Sequence, residues 1–382
     1  MTELKVDNIT NLAGSGKPNL PVAPTVGSNA AISTLNTHSY TSSGTEPSSP
    51  SNGALWWDSA NDKVMVYIDS EFKEIELNAS SSSNNAWSGD RGVFAAGSGP
   101  LNVMEYVNIA SAGNAVDFGD LSVARHSIGG TSNSTRGVFA GGRVSNADNT
   151  MDYITFATTG NATDFGNLDV TRYALSKGTT SDGTTGIFAG GYTHTGGASF
   201  KDTISKITIA TTGNASDFGN LTAGRNKPAN CGDATRGIIG GGINDINTYH
   251  NNIDYITIGT AGNGTDFGDL TVSRGQFSAV SDATRGVFVG GWGASYLNTL
   301  DYITIQSAGN ATDFGDLVNY QLDGASVMNA TVAVAATGYW GPSGSGTNEM
   351  DQFTIQTAAN ATDFGDLITS RISATGASGA AS

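Results

Sequence analysis

Short apolar segments recur along the chain from about residue 90 onward, and glycine- and asparagine-rich turns separate them. The Val-Phe pair of RGVFAGG (136–142) and the Tyr-Ile-Thr-Ile run that ends at Ile258 are rich in β-branched and aromatic residues. Such runs suit half-buried strands on a pleated sheet. The pattern therefore predicts an all-β chain of many short strands and tight turns.

One nine-residue string occurs six times in nearly the same form, and reads GNATDFGDL at 309–317. Successive copies lie 47, 53, 49, 47 and 50 residues apart when measured between their aspartates, which are Asp117, Asp164, Asp217, Asp266, Asp313 and Asp363. A period near 50 with β-type composition predicts a β-propeller with one blade per repeat.

Each repeat aligns as four segments, which predicts four strands per blade. The first segment follows the Leu that ends the string, as in SVARHSIGGTS (122–132), and the second ends in glycines. The third resembles DYITI, and the fourth runs through the string itself. The first unit starts with a second-type strand at 91–97, while an extra first-type strand ends the chain at 368–378. We therefore expect a six-bladed propeller over 90–382, with the C-terminal strand joining the N-terminal blade and leaving no open edge.

The repeated string is predicted to be scaffold, because six equivalent copies around a ring cannot all be catalytic centres. Its Gly-Asn pair permits positive φ, and its aspartate can cap a turn. Its phenylalanines are expected to wedge between neighbouring blades; they are Phe118, Phe165, Phe218, Phe267, Phe314 and Phe364.

Glycine pairs after the second strand, an aromatic residue in the third and an arginine opening the next first strand resemble the kelch-type β-propeller. The resemblance covers about residues 88–382, and the pair stands at Gly141-Gly142, Gly190-Gly191, Gly241-Gly242 and Gly290-Gly291. It decays to Ala96-Gly97 and Thr337-Gly338, and the string's Phe replaces the usual late Trp. The resemblance implies a divergent kelch-like propeller.

The chain before residue 90 has a different character. Residues 1–45 show no amphipathic period and predict an extended arm. Residues 46–77 predict a three-stranded β module, whose small core comprises Trp56, Trp57, Val64, Val66, Tyr67 and Phe72. Residues 78–89, which read NASSSSNNAWSG, predict a linker.

The opening LKVDNITN and the following Pro-x-x-Gly-x-x-Trp-x-Asp…Tyr pattern resemble segments of tailed-phage appendage proteins, particularly those of marine phages. The resemblance covers about residues 1–77. It implies that the arm attaches to other virion proteins, and that the protein is located in the virion after assembly in the host cytoplasm. A homo-oligomer is left open.

Composition and charge narrow the functional classes. The net charge of −16 disfavours nucleic-acid binding. The sequence contains no run of 18 apolar residues, so it predicts no membrane-spanning segment. A single cysteine, Cys231, allows no intrachain disulfide and is expected to be buried. The N-terminus lacks a signal-peptide pattern.

No catalytic residue, metal site or cofactor is predicted. The four histidines are far apart, and the DFG letters occur without the other motifs of a kinase. Five arginines open the first-type segments (Arg125, Arg172, Arg225, Arg274 and Arg371), with Gln321 near the sixth position. They either form an anion site at the channel mouth or pair with the aspartates of the repeated string, and we favour the pairing.

The loops after the glycine pairs differ from blade to blade, and variable loops on a rigid scaffold commonly carry recognition. They hold aromatic residues among Asn, Ser and Gly, which suit saccharide rings or protein epitopes. The candidate ligand-binding residues are Tyr192, His194, Tyr249, His250, Trp292, Tyr296, Tyr339 and Trp340. Unconstrained drift of the loops is the alternative.

These observations predict a phage virion structural protein, a tail-fibre or appendage adhesin whose propeller binds a host-surface glycan or protein. A non-catalytic protein that decorates the capsid or tail is the alternative. An enzyme acting on surface polysaccharide is the third and least favoured reading.

Overall fold

The computed structural model is all-β, with no helix among the residues that it describes. It describes residues 89–381 except 195–198, 246–247, 337 and 341–344. Before residue 89 it describes residues 10–11, 18–19, 25–26, 30–31, 41–43, 48, 50, 54–58, 63–68 and 71–74. The chain divides into two compact units, Met1–Ser82 and Ser83–Ser382.

The first unit contains two short strand pairs and one four-stranded sheet. The pairs are Thr10–Asn11 with Pro18–Asn19 and Thr25–Val26 with Ala30–Ala31. The sheet is formed, in spatial order, by Thr41–Ser43, Leu55–Asp58, Lys63–Ile68 and Glu71–Glu74. Its last three strands are antiparallel neighbours in sequence order, and Thr41–Ser43 joins the sheet in parallel. Most of the predicted arm and nearly all of the predicted linker lie outside the described residues.

The second unit is a six-bladed β-propeller. Blade 1 contains Arg91–Ala95, Leu101–Asn108 and Val116–Arg125; blade 2 contains Gly129–Ser132, Arg136–Ala140, Thr150–Thr155 and Thr163–Asn167; blade 3 contains Thr185–Ala189, Thr203–Thr208 and Ser216–Asn220. Blade 4 contains Ala229–Gly232, Arg236–Gly240, Asn252–Thr257 and Thr265–Asp269; blade 5 contains Ser278–Ser281, Arg285–Trp292, Tyr296–Thr304 and Thr312–Asp316; blade 6 contains Ala325–Met328, Val332–Ala336, Glu349–Thr354 and Thr362–Asp366.

The last strand of the chain, Thr375–Gly379, pairs antiparallel with Arg91–Ala95 and is the fourth strand of the blade 1 sheet. In register, Thr375 lies opposite Ala95 and Gly379 opposite Arg91. The two strands come from the first and the last segments of the propeller sequence.

The innermost strands are shorter than the sequence predicts. The predicted first-type segment of blade 2 spans 122–132, whereas its strand spans Gly129–Ser132. The segment before the strand contains Ser127, whose φ of 56° is incompatible with a strand. The first half of each such segment is therefore the crossing from one blade to the next.

Blade 3 departs from the prediction of four strands, because its sheet has three. The segment that precedes Thr185 makes only isolated bridges, one of which joins Lys177 in parallel with Ala229. Gly178 has a φ of 126°, and a Cβ there would lie 1.9 Å from the Asn230 carbonyl oxygen. The backbone at this point turns toward blade 4. This turn interrupts the ladder of hydrogen bonds that the segment would otherwise form with the blade 3 sheet.

The repeated strings recognise each other across the blade interfaces. The Gly-Asn half of one copy docks on the Asp-Phe-Gly half of the copy before it. The Gly160 N–H donates to the Phe118 carbonyl oxygen at 2.7 Å, and Asn161 Oδ1 accepts from the Asp120 N–H at 3.0 Å. The asparagine bond joins all six consecutive pairs, blade 6 to blade 1 included; its acceptors are Asn114, Asn161, Asn214, Asn263, Asn310 and Asn360.

Six apolar clusters fill the interfaces between adjacent blades, and each contains one phenylalanine of the repeated string. In one cluster, Phe118 of blade 1 packs with Ile154 and Phe156 of blade 2. Phe118 also makes an edge-on contact with Tyr106, with the ring centroids 6.0 Å apart. The predicted wedge role of these phenylalanines is confirmed.

In each of five blades, a buried arginine bonds to the third strand, and we call this arrangement the clamp. Arg125 Nη2 lies 2.8 Å from Asp152 Oδ2, and Nη1 donates to the Thr150 carbonyl oxygen at 3.1 Å. Both side chains of this pair are fully buried. The equivalent ion pairs are Arg225–Asp254, Arg274–Asp301 and Arg371–Glu105.

Both sequence-based interpretations of these arginines are wrong. In four of the five blades the partner acid stands on the third strand, not in the repeated string, because the arginine side chain packs on the blade that follows it. Arg172 instead reaches Asp169, just after the string, through Ser205. An anion site at the channel mouth is wrong because the arginines are at most 2% exposed. Burial with a compensating carboxylate leaves them no free charge for a ligand.

In the clamp of blade 3, the acidic residue and the hydroxyl residue occupy each other's positions. In blade 4, Asp254 pairs with the arginine and accepts a hydrogen bond from Thr222 Oγ1 at 2.7 Å. Blade 3 instead has Ser205 on the third strand and Asp169 after the string. Arg172 Nη2 donates to Ser205 Oγ at 2.5 Å, and Ser205 Oγ donates to Asp169 Oδ1 at 2.5 Å.

We expect the Asp169→Ser variant to lose about 1–3 kcal/mol of unfolding free energy, because Arg172 stays buried while the carboxylate that it reaches through Ser205 is lost. Adding Ser205→Asp restores the arrangement of blade 4 and should recover most of that loss. Chemical denaturation of the two single variants and the double variant measures the coupling. Additive losses would contradict the exchange.

A second prediction concerns the docking of the strings. Gly268 has a φ of 145°, and a Cβ there would lie 2.4 Å from the Gly309 carbonyl oxygen. Gly268→Ala should therefore lower the melting temperature by several degrees, since one kcal/mol corresponds to about 2–4 °C in a domain of this size. Gly309→Ala is the matched control, because its Cβ would meet no atom within 4 Å. Equal effects of the two substitutions would argue against a steric requirement.

Candidate binding face

Six backbone hydrogen bonds run in one cycle around the propeller axis. Each donor is the residue two positions after a clamp position, and each bonds to the carbonyl oxygen of the member before it at 2.6–3.1 Å. The six members have φ between 49° and 61°, and they are Ser127, Ala174, Lys227, Gln276, Asp323 and Ser373. We call them the axial ring.

The variable loops begin beside the axial ring. Isolated bridges pair the residue before a ring member with the residue after a glycine pair, and they are His126–Arg143, Tyr173–Tyr192, Asn226–Ile243 and Gly275–Trp292. The loops of these four blades therefore rise around one end of the axis. We call this end of the propeller the loop-bearing face.

The blade 3 loop is a hairpin that carries an aromatic cluster. Its strands are Tyr192–Thr193 and Ser199–Phe200. The Tyr192 ring contacts those of Phe200, His194 and Tyr173, with centroids 5.0, 4.8 and 5.6 Å away. Tyr173 Oη lies 3.0 Å from His194 Nε2. His194 is exposed and Tyr192 is half-buried, so the cluster presents ring surface and polar atoms together.

A second aromatic cluster joins blades 4 and 5. The Trp292 and Tyr296 rings meet edge-on with centroids 4.4 Å apart, at the end of an extended hairpin of blade 5. Tyr249, on the short strand Thr248–Tyr249 of blade 4, is hydrogen-bonded to the Trp292 side chain. Burial raises the pKa of the Tyr249 phenol. The three aromatic residues are half-buried.

The other three sequence-predicted residues are placed differently. His250 is half-buried, its N–H donates to the Gly242 carbonyl oxygen at 2.9 Å, and burial lowers the pKa of its imidazole, with Arg225 adding to the effect. It therefore faces the blade 4 clamp more than solvent. Tyr339 and Trp340 form a short strand paired with Ser345–Gly346; their side chains lie outside the description.

The centre of the loop-bearing face is filled by a polar network that the sequence did not reveal. Lys177 Nζ lies 2.5 Å from Asp323 Oδ1, and Lys227 Nζ lies 3.0 Å from Asp323 Oδ2. Lys227 also donates to Gln276 Oε1 at 2.8 Å, and Ser373 Oγ donates to Asp323. Lys177 and Lys227 hold the pKa of the Asp323 carboxyl far below its usual value despite burial.

Tyr173 and Arg143 were also missed as members of the face. The Arg143 guanidinium lies 5.3 Å from the centre of the Tyr173 ring. The position after each clamp residue varies between blades, reading His126, Tyr173, Asn226, Gly275, Leu322 and Ile372. The comparison between repeats that identified the loops would have found this position as well.

Among the described residues, no group of three or more His, Cys, Asp or Glu side chains is placed to hold a metal ion. The described part of the chain also contains no helix that could span a membrane. Cys231 is fully buried, and burial raises the pKa of its thiol, so it is not available as a nucleophile.

The polar network generates a pH prediction. The pKa of Asp323 is lower in the folded chain than in the unfolded chain. The stability that its ionised carboxylate adds is therefore complete above about pH 5, and it is lost as the pH falls below the pKa of the unfolded chain, near 4. Asp323→Asn should cost about 3–5 kcal/mol at pH 7, and that deficit relative to wild type should shrink by about 1 kcal/mol at pH 3. Denaturant unfolding of both proteins at the two pH values tests this. A deficit that grows toward acid pH would contradict it.

Comparisons with known proteins add no family to this description. No protein-family model matches the chain. A comparison with curated proteins likewise gives no significant match. The functional argument therefore rests on the propeller and on the geometry of its loop-bearing face.

Proposed function

We propose that the chain is a phage virion structural protein whose propeller binds a host-surface saccharide or protein through the loop-bearing face. The observation that carries this proposal is the pair of aromatic clusters around one end of the axis. Five of the eight sequence-predicted residues belong to them: Tyr192, His194, Tyr249, Trp292 and Tyr296.

The chemistry of the clusters suits a non-catalytic adhesin. Half-buried tyrosine and tryptophan rings offer a flat apolar face beside a polar atom, at a low cost in side-chain entropy. Sugar rings present matching C–H faces and hydroxyl groups. The hairpins hold the rings on a rigid scaffold, which reduces the entropy lost on binding.

The virion part of the proposal is supported by the resemblance of residues 1–77 to phage appendage segments. In this proposal, the arm attaches to other virion proteins, and the propeller points outward. The pairing of Thr375–Gly379 with Arg91–Ala95 supports a ring closed by the C-terminal strand. Such closure pairs the edge of Arg91–Ala95 that would otherwise be open to neighbouring copies on a crowded particle.

We expect Tyr192→Ala and Trp292→Ala each to weaken binding about tenfold, the effect typical of an aromatic hot spot. Binding of the purified full chain is measured on immobilised bacterial surface polysaccharides and on intact cells. Val116→Ala is the control, because Val116 is 53% exposed and begins the outermost strand of blade 1, away from the clusters.

The outcomes separate the candidate functions. Loss of binding by the two cluster variants, with unchanged melting temperatures, supports an adhesin. Unchanged adsorption would favour a protein that only decorates the particle. Release of reducing ends from the polysaccharides would instead indicate an enzyme.

A further inference from the structure

The clamp of blade 6 lacks its arginine. Gln321 occupies the clamp position, while the partner acid is retained as Asp351. The strand register confirms the equivalence: Ala335 lies opposite Asp351 in blade 6, as Phe139 lies opposite Asp152 in blade 2. Blade 6 therefore keeps the frame of a clamp without its cation.

The groups that an arginine would contact line a cavity in blade 6. In blade 2, the Arg125 guanidinium donates to the carbonyl oxygens of Thr150 and Phe139 and to Asp152. The cavity is lined by the equivalent residues of blade 6, Glu349, Ala335 and Asp351, together with Asn319, Tyr320, Gln321 and Thr347. It measures about 20 Å³, which is room for a particle the size of one water molecule.

Gln321 does not replace the missing charge. It is only 7% exposed, and its buried Oε1 has no hydrogen-bond partner. A buried amide oxygen without a donor is costly. Because Gln321 lines the cavity, this oxygen is an unused ligand at the site of the missing cation.

The acidic groups of the cavity are also undercompensated. Asp351 Oδ2 accepts a hydrogen bond from the Val318 N–H at 2.9 Å, and Glu349 Oε2 accepts one from Asn319 Nδ2 at 2.9 Å. Neither carboxylate forms an ion pair among the described residues. Burial raises the pKa of Asp351 to about 6, and the charges of Glu349 and Asp363 act in the same direction.

We propose that this cavity binds a divalent metal cation of the Ca²⁺ type in place of the guanidinium found in the other five blades. The donors available are oxygen atoms, two carboxylates and one amide carbonyl, which hard cations prefer. The three-acid clusters that hold metal tightly are not found among the described residues. Affinity should therefore be modest, on the order of 0.1–1 mM. This proposal does not depend on the function proposed for the loop-bearing face.

The test uses Ca²⁺ alone and the full chain. Adding 10 mM CaCl₂ at constant ionic strength should raise the melting temperature of wild type by about 3–10 °C. Asp351→Asn removes a ligand and should abolish the shift. Gln321→Arg supplies the missing guanidinium, so it should abolish the shift and be at least as stable as wild type without Ca²⁺.

Asp266→Asn is the matched control, because it removes an exposed carboxylate of the repeated string in blade 4, outside the cavity lining. It should keep the full wild-type shift. Equilibrium dialysis should show one site in wild type and Asp266→Asn, and none in Asp351→Asn. Glu349→Gln, a change at an exposed side chain, should weaken binding and serves if Gln321→Arg fails to fold. No shift in wild type, or an equal shift in all variants, would overturn the proposal.

Discussion

The propeller depends on the recognition of each repeated string by the next. One half of the string presents a Gly-Asn turn, and the other half presents backbone groups that this turn can bond. Gly119 allows the contact because a Cβ there would lie 2.4 Å from the Gly160 carbonyl oxygen. A change in either half would disturb the interface that this half forms, and every copy takes part in two interfaces, one with its predecessor and one with its successor. This mutual constraint explains why the string varies so little while the loops vary freely.

The clamps add a second constraint, in which a buried guanidinium is tolerated only with a compensating carboxylate. Removing one partner of a buried ion pair costs more than the pair contributes, because an uncompensated charge remains. The exchange of Asp169 and Ser205 in blade 3 follows this rule, since the acid moved but was not lost. Blade 6 is the exception, because Gln321 stands in place of the arginine while the acid, Asp351, is retained. The undercompensated Asp351 is the structural basis for assigning a cation there.

The sequence predicted the six-bladed propeller well because its repeat period and strand patterns are local signals. The wedge role of the phenylalanines followed from the same pattern. The partner of Arg125 was mispredicted because Asp152 lies 27 residues away, and sequence spacing does not show which way a side chain folds back. Aromatic residues in variable loops were identifiable, yet their grouping was not. Tyr249 and Trp292 meet only because adjacent blades bring two hairpins together.

The axial ring has identical backbone geometry in all six members but different side chains. Lys227, Gln276, Asp323 and Ser373 bond one another in a specific arrangement, with Lys177 reaching in from blade 3. At the rim, the repeated strings are nearly alike, so the interfaces between blades repeat the same contacts. At the axis, the side chains are not interchangeable, because Asp323 is the acid that both Lys177 and Lys227 contact. The polar network therefore distinguishes the blades at the axis although their strings are nearly the same.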